Sequence, residues 1–181
     1  MIYMFLANGF EEIEALLPLD LMRRAGIEVN TVAVGGKMPI YGAHEIRISP
    51  DIYEAAFDHT NKKIDCIILP GGMPGTTNLD ESPVVQRAID RALKDDALIC
   101  AICAAPMILG KRGLLKGKKA TCFPGFEKYL EGAEIGGRVV RDGNIITAIG
   151  MGAAMEFGLE IVAALKGREA ADKLAAAVLA K

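Results

Sequence analysis

An α/β fold, in which a mostly parallel sheet is covered by helices on both faces, is predicted by three features of the sequence. Short apolar runs rich in β-branched residues recur at 2–6, 29–34, 64–69, 98–102 and 144–149. Segments with helical spacing alternate with them at 11–25, 83–94, 104–111, 153–165 and 168–179. The strand runs are largely hydrophobic on both of their faces, which predicts strands buried on both sides as parallel sheets require.

Each element has its own local signal. Run 2–6 has no basic residue before it and leads straight into Glu11 and Glu12, so it reads as a first strand rather than a secretory leader. Gly26 stops the helix that follows, and Pro18 is expected to bend it. Residues 45–49 read as an extra strand. The most polar stretch, 58–63, reads as a surface loop that carries a solvated His59. Gly113 stops the helix 104–111, and Asp142-Gly143 marks a hairpin leading into the last strand.

With 181 residues, a chain of this kind forms one domain, 1–181, and buries roughly 70% of its unfolded surface, so neither disulfides nor a structural metal is needed. Near-neutral charge (-2) and 6% aromatic residues argue against a nucleic-acid partner. The longest uncharged stretch, 97–110, is shorter than the ~18 residues of a membrane span and contains Pro106. A cytoplasmic protein is expected, with four cysteines that are reduced and free for chemistry or packing.

Ligands of open parallel sheets bind beyond the carboxyl ends of the strands, which directs attention to the segments after Leu6, Leu69, Ile102 and Ile149. After Leu69 comes Pro70-Gly71-Gly72-Met73-Pro74-Gly75, a turn able to aim backbone N–H groups at an anion or an oxyanion, or simply a tight turn. A Walker loop is excluded there and at Gly117-Lys118-Lys119, and Gly150-Met151-Gly152 is too short a match for a dinucleotide fingerprint. Residues Ala101-Ile102-Cys103-Ala104-Ala105-Pro106 place Cys103 where a buried strand turns into a helix, with the Ala104 N–H aimed where an oxyanion would form. A helix N-terminus at that point favours the thiolate. A buried, inert cysteine satisfies the same pattern equally well.

Cys100 and Cys103 form a C-x-x-C, but three residues apart on a strand they face opposite ways, so two independent thiols are expected, with Cys66 and Cys122 in the core. Zinc is disfavoured because neither His44 nor His59 belongs to a ligand-spaced pair. Neither histidine is placed beside Cys103 by the sequence. Of the acids after the first strand, Glu11 and Glu12 suit a helix N-terminus, whereas Glu14 has apolar neighbours.

Taken together, Glu11-Glu12-Ile13-Glu14, Met22-Arg23-Arg24-Ala25-Gly26, Leu69-Pro70-Gly71-Gly72, the Cys103 segment and Glu156-Phe157 resemble the DJ-1/ThiJ/PfpI superfamily, specifically its DJ-1/ThiJ branch. The resemblance implies a flavodoxin-like three-layer sandwich, similar to class I glutamine amidotransferases, and a homodimer. It also implies a reactive Cys103, a protonated Glu14 bonded to its sulfur, and an oxyanion site at the N–H groups of Gly72 and Ala104. Arg24 matches an arginine near the dimer interface, and His44 stands where some relatives carry a cross-dimer arginine that binds anions.

Two departures narrow the implied activity. The residue after the cysteine is Ala104 rather than the histidine of the protease-like branch, and Phe123-Pro124 stands where animal DJ-1 proteins carry a histidine before a proline. The resemblance therefore implies a cofactor-independent enzyme of the glyoxalase III or deglycase type, acting through Cys103 and Glu14 on small aldehydes or glycated substrates. An oxidative-stress sensor or chaperone that oxidises Cys103 is the alternative. Thiazole monophosphate biosynthesis and amidase or protease activity rank lower.

Overall fold

The computed structural model describes residues 1–36, 38–57 and 62–180, so His59 lies outside the described residues. The strands are β1 (Ile2–Leu6), β2 (Val29–Ala33), β3 (Ile40–Tyr41), β4 (Arg47–Ile48), β5 (Ile52–Tyr53), β6 (Cys66–Leu69), β7 (Leu98–Ile102), β8 (Lys119–Ala120), β9 (Glu134–Ile135), β10 (Val139–Asp142) and β11 (Ile145–Ala148). The helices are α1 (Glu12–Arg24), α2 (Gly75–Glu81), α3 (Pro83–Lys94), α4 (Pro106–Lys111), α5 (Ala154–Lys166) and α6 (Arg168–Ala177).

Seven strands form the central sheet in the order β10-β11-β7-β6-β1-β2-β5. All neighbours in it are parallel except β10 and β11, which form the hairpin turned by Gly143 and Asn144. Period-two alternation divides β1 between two cores. Tyr3 and Phe5 pack with Leu79, Val85 and Ile89 from α2 and α3, whereas Ile2, Met4 and Leu6 pack with Leu19, Met22, Phe157 and Ile161 from α1 and α5. The result is the three-layer α/β sandwich expected from the sequence.

The five principal strands are found within two residues of their expected ends. Five elements carried no readable signal: α2 and the two-residue strands β3, β5, β8 and β9. The expected extra strand at 45–49 shrinks to β4, which pairs with β3 outside the main sheet. Helix α1 continues through Pro18 as one element. Pro18 is buried there against Gly158 of α5, where a Cβ would lie 3.0 Å from Pro18 Cα and 2.7 Å from Leu21 Cδ1. Gly158→Val should therefore lower stability by about 2 kcal/mol, read from the urea midpoint, because the contact leaves no room for added methyl groups. A midpoint equal to wild type would show that α1 and α5 separate freely.

The carboxyl ends of β1, β6, β7 and β11 lie side by side. From them the chain loops 7–11, 71–74 and 103–105 run to α1, α2 and α4, and 149–153 runs to α5. Loops 7–11 and 71–74 are locked together: the Glu11 N–H donates to the Gly71 carbonyl at 2.9 Å, and the Gly75 N–H donates to the Gly9 carbonyl at 3.1 Å.

Candidate active site

Cys103 ends β7 with φ +65°, a left-handed conformation that costs a non-glycine residue about 1–2 kcal/mol. Two backbone bonds hold it there. Its N–H donates to the Ala148 carbonyl of β11, and its carbonyl accepts from the Phe123 N–H, both at 2.8 Å. The half-buried side chain is thereby turned out of the strand, and Cys100 remains fully buried behind it. The C-x-x-C is thus split as expected; the neighbour of Cys100 is Cys66 of β6, with the sulfurs 3.8 Å apart.

Glu14 reaches the same point from α1. Glu11 is the cap of that helix, its carboxylate accepting from the Glu14 N–H at 2.7 Å, which fixes Glu14 in the first turn. The Glu14 side chain is 1% exposed. Gly71 makes room for it: a Cβ at that position would stand 2.4 Å from Glu14 Oε2 and 2.6 Å from Cys103 Cβ. Gly72, at φ +88°, turns its N–H toward the sulfur in a conformation that side chains avoid.

Burial pushes the Glu14 carboxyl up to about 7, against the opposing pull of the Cys103 thiol and of the Gly71 and Met151 N–H groups. Burial, and then the nearby Glu14 charge, push the Cys103 thiol up to about 12, while the N–H groups of Gly72 and Ala104 pull it down. The lowered thiol pKa that the helix N-terminus led us to expect is therefore not found. Helix α4 begins only at Pro106 and runs six residues, so the groups that favour the thiolate are loop amides. Between about 7 and about 12 the pair carries one proton and one negative charge. Glu14 Oε2, buried without a partner in regular hydrogen-bond geometry, is the acceptor to which that proton can pass.

Four of the six residues singled out from sequence meet here: Cys103, Glu14, Gly72 and Ala104. His44 and Arg24 do not. His44 donates its backbone N–H to Glu12 Oε1 at 2.7 Å and sets Nδ1 2.8 Å from Glu12 Oε2, so this imidazole braces the 42–46 loop against α1. Arg24 pairs with Asp20 at 2.6 Å, ten residues and about 15 Å along α1 from Glu14. Ligand atoms of Glu11, Glu12 and His44 lie within 4.8 Å of one another, but Glu11 caps α1 and both Glu12 oxygens are taken by His44. Those oxygens are already engaged within the protein.

Two features of the site escaped the sequence reading. Gly71 is required by the contact of Glu14 with Cys103, which joins residues 89 positions apart. Phe123 and Met151 stand exposed at the rim, and a Cβ on Gly150 would lie 3.3 Å from the Phe123 ring and 3.8 Å from Glu14 Oε1.

Comparison with known proteins places this arrangement. The sequence pattern of the DJ-1/PfpI family matches residues 1–164. The chain belongs to the DJ-1/PfpI family. Among family relatives, it is 38% identical to the Parkinson disease protein 7 homolog of Danio rerio, over 97% of this chain and 95% of that one. It is 37% identical to the glutathione-independent glyoxalase DJR-1.2 of Caenorhabditis elegans, over 91% of this chain and 87% of that one. The fold matches a DJ-1 superfamily protein of Salmonella typhimurium with TM-score 0.93 and 32% identity, covering 99% and 98% of the two chains. Drosophila melanogaster DJ-1beta matches with TM-score 0.92 and 34% identity over 99% and 97%. The family's flavodoxin-like sandwich is thus the fold of this chain.

Proposed function

We propose that the chain is a cofactor-independent, thiol-dependent enzyme that converts 2-oxoaldehydes to 2-hydroxy acids, in the manner of glyoxalase III and deglycases. The observation that carries this reading is the contact of buried Glu14 with half-buried Cys103 across Gly71, beside the backbone N–H groups of Gly72 and Ala104. A relative that carries the name glutathione-independent glyoxalase supports it.

The proposed steps need nothing beyond water. The Cys103 proton passes to Glu14, and the sulfur adds to the aldehyde carbon of R-CO-CHO while the N–H groups of Gly72 and Ala104 take the developing oxyanion. Protonation of that oxygen gives a hemithioacetal. Glu14 then carries the aldehyde-derived proton from the first carbon to the second, leaving a 2-hydroxy thioester. Water cleaves the carbon–sulfur bond, releases R-CHOH-COOH and restores the thiol. Early glycation adducts present the same carbon to the same sulfur. Oxidation of Cys103 is the sensor alternative, and it draws on the same thiolate that the carbonyl reading requires.

The same reading takes residues 1–181 as one domain that acts as a homodimer in the cytoplasm. Ile13 and Ile46, exposed near the Glu12–His44 contact, support a second copy on that face. No helix among the described residues is long and apolar enough to cross a membrane.

Lactate formation from methylglyoxal without glutathione tests the activity. Cys103→Ser should lower kcat/KM by at least about 1,000-fold while keeping the wild-type circular dichroism, because the hydroxyl is far harder to ionise than the thiol. Lactate formation at the wild-type rate by Cys103→Ser would refute the proposal.

A further inference from the structure

Beside the Cys103–Glu14 pair lies a cavity of about 390 Å³ walled by Phe123, Ile149, Gly150 and Met151. Its position ties it to the chemistry. The Phe123 ring and Glu14 Oε1 both lie within 4 Å of one point, the Cβ that Gly150 lacks, so the cavity wall and the acid meet there. The Phe123 N–H also holds the Cys103 carbonyl at 2.8 Å. Phe123 and Met151 are 47% and 55% exposed, leaving their apolar surface open to a ligand.

Among the described residues of this wall Arg138 alone is charged, and its charge is already engaged. Its Nε is shared between both Glu156 carboxylate oxygens at 3.2 Å, and Nη2 donates to the Gly152 carbonyl at 2.7 Å. A substrate carboxylate or phosphate would have to displace Glu156 to reach it, whereas a hydrocarbon group displaces only water.

We propose that this cavity is an apolar subsite for the substituent R of the dicarbonyl, so that aryl and bulky alkyl 2-oxoaldehydes are preferred over methylglyoxal. The inference rests on the carbonyl reading above and adds the substrate class to it. Hydrophobic pockets discriminate by about 10- to 200-fold per added group, which sets the expected size of the preference.

Two measurements test it, one of which needs no turnover. In the first, 2-bromoacetophenone and bromoacetone compete for Cys103: sulfur bonds to the methylene carbon as bromide leaves and the thiol proton passes to solvent, with the product located by peptide mass spectrometry. Normalised to the same pair of rates for N-acetylcysteine, Cys103 should favour the aryl reagent at least tenfold. Phe123→Ala and Met151→Ala should each bring that preference down severalfold. The second measurement compares kcat/KM for phenylglyoxal and methylglyoxal, where the same ratio and the same losses are expected, mainly through KM. A normalised preference near one in wild type, or one unaffected by both substitutions, overturns the subsite. A preserved alkylation preference without turnover of either dicarbonyl supports the subsite and refutes the hydrolase.

Discussion

Gly71→Ala should lower kcat/KM for methylglyoxal by about 1,000-fold in a protein that still folds. The new Cβ would fall 2.4 Å from Glu14 Oε2, 2.6 Å from Cys103 Cβ and 2.9 Å from the Ile102 carbonyl oxygen. The carboxyl end of Glu14 is flexible and will yield first, but Cys103 Cβ and the Ile102 carbonyl sit on a strand end pinned by Ala148 and Phe123. The acid must therefore move away from the sulfur by an ångström or more. A displacement of that size costs about 100-fold in rate, and the weakened, not abolished, proton transfer adds about a further 10-fold. Overpacking should cost about 1–3 kcal/mol of stability, visible as a lower thermal midpoint with unchanged secondary structure. Turnover near wild type in the folded variant would mean that Glu14 acts from somewhere else.

The same glycine shows where a reading of the sequence stops. Strands such as 98–102, with period and composition in agreement, were legible because both cores of the sheet impose the same apolar requirement on every position. Cys103 and Glu14 were legible as types of residue at the ends of elements. Their meeting was legible only through the family resemblance, because from the residues alone it depends on the order β7-β6-β1, which brings β6 between them and makes Gly71 the spacer. The direction of the Cys103 shift was misread for a related reason. An elbow motif suggests a helix dipole, whereas the fold buries the thiol, sets the Glu14 carboxyl beside it and starts α4 three residues later. His44 was visible as a histidine before a short strand and, through the resemblance, in the place of a cross-dimer arginine; its partner in the fold, Glu12, is 32 positions away. Two-residue strands such as β8 and β9 have no periodicity to read, since they exist only through each other.

The second large effect is on pH, and it follows from the raised carboxyl of Glu14. Below about 7 both members of the pair are protonated, and the first proton to leave does so with the raised value of Glu14. The nucleophilic form has lost that proton, so kcat/KM should rise tenfold per pH unit below about 7 and level off above it. Glu14→Gln removes the site that accepts the thiol proton. At pH 7 its kcat/KM should be about 100- to 1,000-fold below wild type, and its rising limb should lie at least one unit higher, where the thiol alone ionises. A limb that stays near 7 in Glu14→Gln would assign the titration to another group. Stability gives an independent reading with the opposite sign for fitness. Glu14 ionises near 4.5 when unfolded but only near 7 when folded, so between these values the folded chain binds the extra proton. Its contribution to stability is therefore most favourable below 4.5, declines as pH rises through 4.5 to 7, and stays unfavourable above, by on the order of 3 kcal/mol. Glu14→Gln should unfold at a higher urea concentration than wild type at pH 8 and show a much smaller advantage at pH 5. Taking the difference between the two proteins cancels the opposite trends of Glu12 and Asp51, whose carboxyls are held below their usual range chiefly by hydrogen bonds to His44 and Thr31 that outweigh the cost of burial. A variant that is inactive yet more stable at pH 8 would mean that the fold keeps Glu14 buried for its proton and not for its packing.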